Sequence, residues 1–152
     1  MKKLTGIALL LLIIVCSLLL GCGLDAPKTI GPGEEKVYQE YDGLKLKILE
    51  ATADTIRYKV IYEKNNKQEA GVSPYPTIEV YQDGWKKLAY LWEDVGFLDG
   101  IIGLPSETEK EFSYDIAGYH GKLKPGKYRL VLFAMTGERY TVYLAEEFDV
   151  GG

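Results

Sequence analysis

The chain has 152 residues, with 18 basic and 22 acidic side chains, one histidine and two cysteines, for a net charge of −4 at pH 7. Phosphates and anionic lipid headgroups repel such a balance, which argues against nucleic-acid binding. Zinc and copper centres need clustered histidine, cysteine or methionine; His120 is alone, and Met135 is the only methionine after Met1.

Lys2 and Lys3 precede an almost wholly apolar stretch at residues 7–20. That length suits the hydrophobic region of an export signal better than a spanning helix, which needs about 20 apolar residues. Counting residues 4–21 brings the run near the spanning minimum, so length alone does not decide. Leu19-Leu20-Gly21-Cys22 does. It resembles the lipobox of bacterial lipoproteins: an aliphatic residue, a tolerant position, a small residue, then the modified cysteine. The resemblance implies a diacylglyceryl group on Cys22 and cleavage after Gly21; the alternative is an uncleaved transmembrane anchor. Cys16 would leave with the signal. Two acyl chains hold a protein at a membrane without a basic patch. Removing residues 1–21 takes away Lys2 and Lys3 and no acid, leaving 16 basic against 22 acidic residues, net −6. With Cys22 lipidated no thiol pair remains, so the domain must rely on its core. The 131 residues from Cys22 onward suffice for one core.

Residues 22–35 contain Gly23, Gly31, Gly33, Pro27 and Pro32 without apolar periodicity, and read as a flexible tether. Beyond them the apolar period is two, the signature of half-buried strands. Leu44, Leu46 and Ile48 alternate with lysines; Ile56, Tyr58, Val60 and Tyr62 alternate with Arg57 and Lys59. Ile78 and Val80, then Phe112, Tyr114 and Ile116, then Tyr128, Leu130 and Leu132 continue the pattern, and residues 140–150 close it. Asp42-Gly43 and Asp83-Gly84 are two-residue hairpin signals, and Thr136-Gly137-Glu138 a short hairpin loop. Asn65-Asn66 and Pro74-Tyr75-Pro76 mark a longer connection, Leu123-Lys124-Pro125-Gly126 another. Residues 89–103 are ambiguous and could hold a helical turn. The expectation is an all-β, immunoglobulin-like β-sandwich of seven to eight antiparallel strands over residues 36–150, following a signal peptide at 1–21 and the tether at 22–35.

Several segments together resemble the bacterial Ig-like domain of exported proteins and lipoproteins of Gram-positive bacteria. They are Ile78-Glu79 with Asp83-Gly84-Trp85, Leu104-Pro105 before Glu109-Lys110-Glu111-Phe112, and, most specific, the run from Tyr119-His120-Gly121 through Leu123, Pro125-Gly126 and Tyr128-Arg129-Leu130. His120 between Tyr119 and Gly121, and Ser106 after Pro105, depart from the family pattern. The resemblance implies the sandwich fold and an envelope location, and no assigned activity. From the residues themselves, Pro125-Gly126 turns the chain before Tyr128, the arrangement of a tyrosine corner whose hydroxyl bonds an upstream backbone group.

Chemistry is sparse. Ser73, Ser106 and Ser113 lack a nucleophile elbow and share one candidate base, His120, which reads as a turn residue. Glu93-Asp94 and Glu146-Glu147 read as solvated surface charge. No phosphate loop or dinucleotide fingerprint occurs, and no cofactor or metal is expected. The aromatic complement is the remaining lead. Residues 90–102 form a long, apolar, glycine-containing stretch in which Trp92, Phe97, Ile101 and Ile102 are a candidate binding loop; the favoured reading folds Trp92, Phe97 and Ile101 back over an open end of the core. The functional expectation is a lipid-anchored, non-enzymatic module contacting an envelope protein or glycan. Its alternative is an inhibitor of an exported protease that inserts residues 72–76 or 97–104.

Overall fold

The computed structural model describes residues 27–64, 68–92 and 100–151. The signal segment with Gly21 and Cys22, and Phe97, lie outside these residues. Eleven strands and one short helix fill the rest: β1 (Thr29–Pro32), β2 (Glu40–Tyr41), β3 (Leu44–Ala51), β4 (Thr55–Tyr62), β5 (Ala70–Val72), β6 (Thr77–Tyr81), β7 (Trp85–Leu88), β8 (Ile102–Leu104), β9 (Thr108–Asp115), α1 (Ile116–His120), β10 (Gly126–Met135) and β11 (Thr141–Val150). They build two antiparallel sheets, one of seven strands and one of four ordered β2-β3-β4-β9. The all-β sandwich is as expected. The strand count exceeds seven to eight because short pieces such as β1, β2, β5 and β8 carry too few residues to show a period.

The four-stranded sheet follows binary patterning closely. In β4, Ile56, Tyr58, Val60 and Tyr62 are fully buried while Arg57 and Lys59 face outward. Leu44 and Leu46 of β3 point into the same core. Each buried side chain of this size contributes roughly 1.5–3 kcal/mol by leaving water. The outward face carries a ladder of ion pairs, Lys59 to Glu109 at 2.7 Å and Arg57 to Glu111 at 3.2 Å. These exposed pairs add little stability. Their charges on the edge strand β9 discourage pairing with another chain.

In the larger sheet β10 is the spine. It pairs along its whole length with β11, from Gly126↔Val150 to Met135↔Thr141. Its other edge is shared: β6 covers residues 128–131, and β5 covers Ala134 and Met135. Thus β5 and β6 are two pieces of one interrupted strand rather than strands joined by a projecting connection. Pro74 and Pro76 cannot donate to a ladder, so the strand breaks there. The Ser73 amide still reaches the Phe133 carbonyl at 3.0 Å, and the Ser73 hydroxyl accepts from the Tyr75 amide at 3.2 Å. Val72 and Pro76 are buried. Residues 72–76 therefore do not form the exposed loop that insertion into a protease cleft requires, which corrects one form of the inhibitor reading.

Three further expectations change. The segment read as a tether is part of the fold from Pro27 on, since β1 pairs with β7 through Thr29↔Leu88 and Pro32↔Lys86. Asp83-Gly84 does not make a two-residue turn; with Tyr81↔Trp85 paired, Gln82 joins them in a three-residue loop. Asp42-Gly43 does, joining Tyr41↔Leu44 with φ of 52° and 82°. Ile116 is not a strand residue but opens α1. There Asp115 caps the helix, accepting from the Gly118 amide at 2.9 Å, and Gly121 at φ 85° ends it.

Candidate functional site

The candidate loop is best placed by asking which end of β10 each of its residues meets. Leu91 donates its amide to the Tyr119 carbonyl at 2.8 Å, and the Trp92 ring meets that of Tyr119 edge-on at 6.5 Å. Both lie beside α1, near the start of β10. Ile101 lies at the far end of β10, in a groove shared with Met135, its methyl seated over Gly71 where a Cβ would collide with it. Ten residues of strand span about 30 Å. Trp92 and Ile101 therefore do not form one patch. Nor do they cap the core: Trp92 is 59% and Ile101 47% exposed. Ile102 is the exception, half-buried in β8 against the core. The favoured reading fails for Ile101 because β8 pairs with β5 from Ile102 on, leaving the side chain before it at the rim, and for Trp92 because it lies edge-on against Tyr119 with most of its surface exposed.

The groove around Ile101 has a volume of about 630 Å³. Gln68, Glu69, Thr136 and Arg139 line it beside Ile101 and Met135, so both signs of charge and an apolar wall face one space. Its hairpin, residues 136–140, is fixed by the Thr136 amide on the Tyr140 carbonyl at 2.9 Å and the Tyr140 amide on Thr136 Oγ1 at 3.2 Å. Arg139 holds φ at 66°, and the neighbouring Tyr140 is 62% exposed. Sequence reading found the turn but not the groove, since three separate segments, residues 68–71, 101–103 and 135–139, make its walls.

The other end holds the residues singled out for structure. Tyr128 Oη donates to the Lys124 carbonyl at 2.8 Å across Pro125 and Gly126, and its ring stacks on Phe148 at 5.7 Å. Burial pushes the phenol up from its ordinary pKa. His120 is not a surface turn residue. It is 1% exposed, with Nδ1 donating to the Ala89 carbonyl at 2.8 Å and Nε2 accepting from Tyr114 Oη at 3.0 Å. The carbonyl can only accept, so Nδ1 carries a proton, and burial of the ring favours its neutral form, in which Nε2 is the acceptor. Burial lowers its pKa, opposed by the bond to Ala89. Both nitrogens are engaged, leaving no lone pair for a metal or a substrate.

A charged network escaped sequence reading. Glu79 is fully buried, and Arg129 is 6% exposed. Arg129 Nε donates to Glu79 Oε2 at 2.6 Å, and Arg129 also donates to the Glu34 carbonyl at 2.7 Å. Glu79 Oε1 accepts from the Glu34 amide at 2.8 Å. The Trp85 ring lies 4.4 Å from the guanidinium carbon. Glu79 and Arg129 occupy outward positions of β6 and β10, which alternation assigns to solvent. They are buried because the segment following β1 straps across that face. The only sequence signal was two opposite charges at outward positions on neighbouring strands, and it needs the register Arg129↔Glu79 to be read.

Among the described residues no three His, Cys, Asp or Glu side chains converge as a metal site. The family model of the bacterial Ig-like domain matches residues 40–148. Comparison with curated proteins and with solved structures yields no significant match.

Proposed function

Because the chain belongs to the bacterial Ig-like domain family, we propose that it is a lipid-anchored lipoprotein on the outer face of the cell membrane, of Gram-positive type. It displays a non-enzymatic interaction module whose partner is an envelope protein or glycan. The anchor is Cys22, bearing a diacylglyceryl group after cleavage at Gly21, as the lipobox-like run Leu19-Leu20-Gly21-Cys22 implies. The observation that carries the interaction reading is the groove at the far end of β10. It sets exposed Ile101 beside Met135 and the polar and charged groups of Gln68, Glu69, Thr136 and Arg139, the mixed lining by which proteins hold polar ligands in a fixed orientation.

Two measurements test the two halves. Cys22→Ala should abolish palmitate labelling and leave the precursor unprocessed; unchanged labelling refutes the anchor. Binding of the mature protein to purified cell-wall glycan and to membrane-protein fractions should fall about tenfold or more in an Ile101→Ala, Glu69→Ala variant. Equal binding by both forms removes the groove as the site.

A further inference from the structure

The chain emerges towards Cys22 at one corner of the sandwich, and that corner is unlike the rest of an acidic domain. Pro27 shares a small cavity with Leu88, Lys124, Pro125 and Tyr128. The Lys28 carbonyl accepts from the Ala89 amide at 2.7 Å. Three residues further on lies Trp92, and three residues span at most about 11 Å. Leu91 and Trp92 are 55% and 59% exposed, adjacent large apolar side chains facing water beside the point of emergence. Lys28 and Lys124 are exposed there, and neither has an acidic partner among the described residues.

The strap shortens the leash. Were residues 22–35 free, thirteen peptide units could lift the domain about 45 Å from Cys22. With β1 paired to β7 and Glu34 held by Glu79 and Arg129, only five units separate Cys22 from Pro27, at most about 18 Å. With Cys22 in the membrane, the corner around Pro27 stays within about 18 Å of the lipid surface.

We propose that this corner is a second membrane contact, in which Leu91 and Trp92 enter the headgroup layer of the bilayer while Lys28 and Lys124 face anionic headgroups. The inference rests on the lipid-anchor reading. Tryptophan suits this position, its indole joining an apolar body to an N–H that water or headgroups can satisfy. Basic side chains within a Debye length of an anionic surface, about 8 Å at physiological salt, are attracted to it.

The test uses the mature lipidated protein in vesicles of brominated phosphatidylcholine and phosphatidylglycerol, with tryptophan emission and co-flotation read from the same samples. Trp85 and Trp92 are the two tryptophans of the chain. Trp85 lies half-buried over Arg129 on the strapped face. The wild type should float and lose up to the share of emission due to one indole; Trp92→Phe should float equally and lose little. Lys124→Glu should reduce the quenching in anionic vesicles and not in purely zwitterionic ones. Flotation without quenching overturns the second contact while leaving the anchor intact, and assigns Leu91 and Trp92 to a protein partner or a second copy. Failure to float overturns the anchor itself. Quenching unaffected by Trp92→Phe also refutes the proposal.

Discussion

Two regions of this sandwich tie a non-sheet segment to the core by buried polar groups, and they do so with opposite electrostatics. On one face Glu79 and Arg129 hold the strap at Glu34 with charge-assisted bonds. At the α1 end neutral His120 joins Tyr114 to the backbone at Ala89. A buried ion pair is stable only while every partner stays in place, because the desolvation of each ion is offset by the other. A neutral pair costs less to bury and less to break, but it exposes the fold to pH. The contrast shows which attachment fails by mutation and which by acid.

The largest expected effect follows from removing one ion. Glu79→Ala should lower stability by about 3–5 kcal/mol, since Arg129 is left buried without its carboxylate. Urea unfolding measures the loss, and faster proteolysis within residues 27–37 would show the strap released. Glu79→Leu combined with Arg129→Met should recover much of it; no recovery would mean that the pair, not its burial, supports the fold.

Single neutral hydrogen bonds come next. Tyr128→Phe and Tyr114→Phe should each cost on the order of 1–2 kcal/mol, read as a lower urea midpoint. An unaltered midpoint for Tyr128→Phe would dismiss the corner as a structural element. The pH effect is of similar or smaller size. Burial depresses the His120 pKa in the folded state below its ordinary value of 6.5, so below that pH the unfolded chain binds more protons. The contribution of His120 is fully present above about pH 6.5 and is lost as pH falls through the folded pKa, by at most about 1.4 kcal/mol per unit. The urea midpoint should drop between pH 7 and pH 5, and His120→Phe should flatten that drop. Smallest is Tyr58→Phe. Tyr58 stacks on Phe112 at 5.2 Å with its hydroxyl buried and without a partner among the described residues. Its removal should change stability by less than about 0.5 kcal/mol or raise it. A loss near that of Tyr128→Phe would reveal a bond to its hydroxyl.

The strands β3 and β4 were legible because apolar residues recur at every second position beside charged ones, and β10 because Tyr128, Leu130 and Leu132 keep that spacing although both of its faces are buried. Asp42-Gly43 was legible because its positive φ values demand such residues. Asp83-Gly84 carried the same signal yet yielded a different loop, since the pairing of Tyr81 with Trp85 fixes the register. The candidate site was legible only in part: Ile101 was chosen, but its groove neighbours Glu69 and Arg139 were not. Trp92 was chosen as the companion of Ile101 and stands at the opposite end of β10.

Composition and period alone determined that this is an all-β sandwich without a stabilising pair of thiols after Cys22, and which face of β4 is buried. Those properties depend on neighbours within a few residues. What only the tertiary structure decided are contacts between residues 45, 50 and 95 positions apart: the Glu34–Glu79, Glu79–Arg129 and Arg129–Glu34 bonds. They turn outward charges into buried ones, and a segment rich in glycine and proline into a fixed strap. A strand pattern states that a side chain leaves the sheet on the outer face; it does not state what will lie there to meet it.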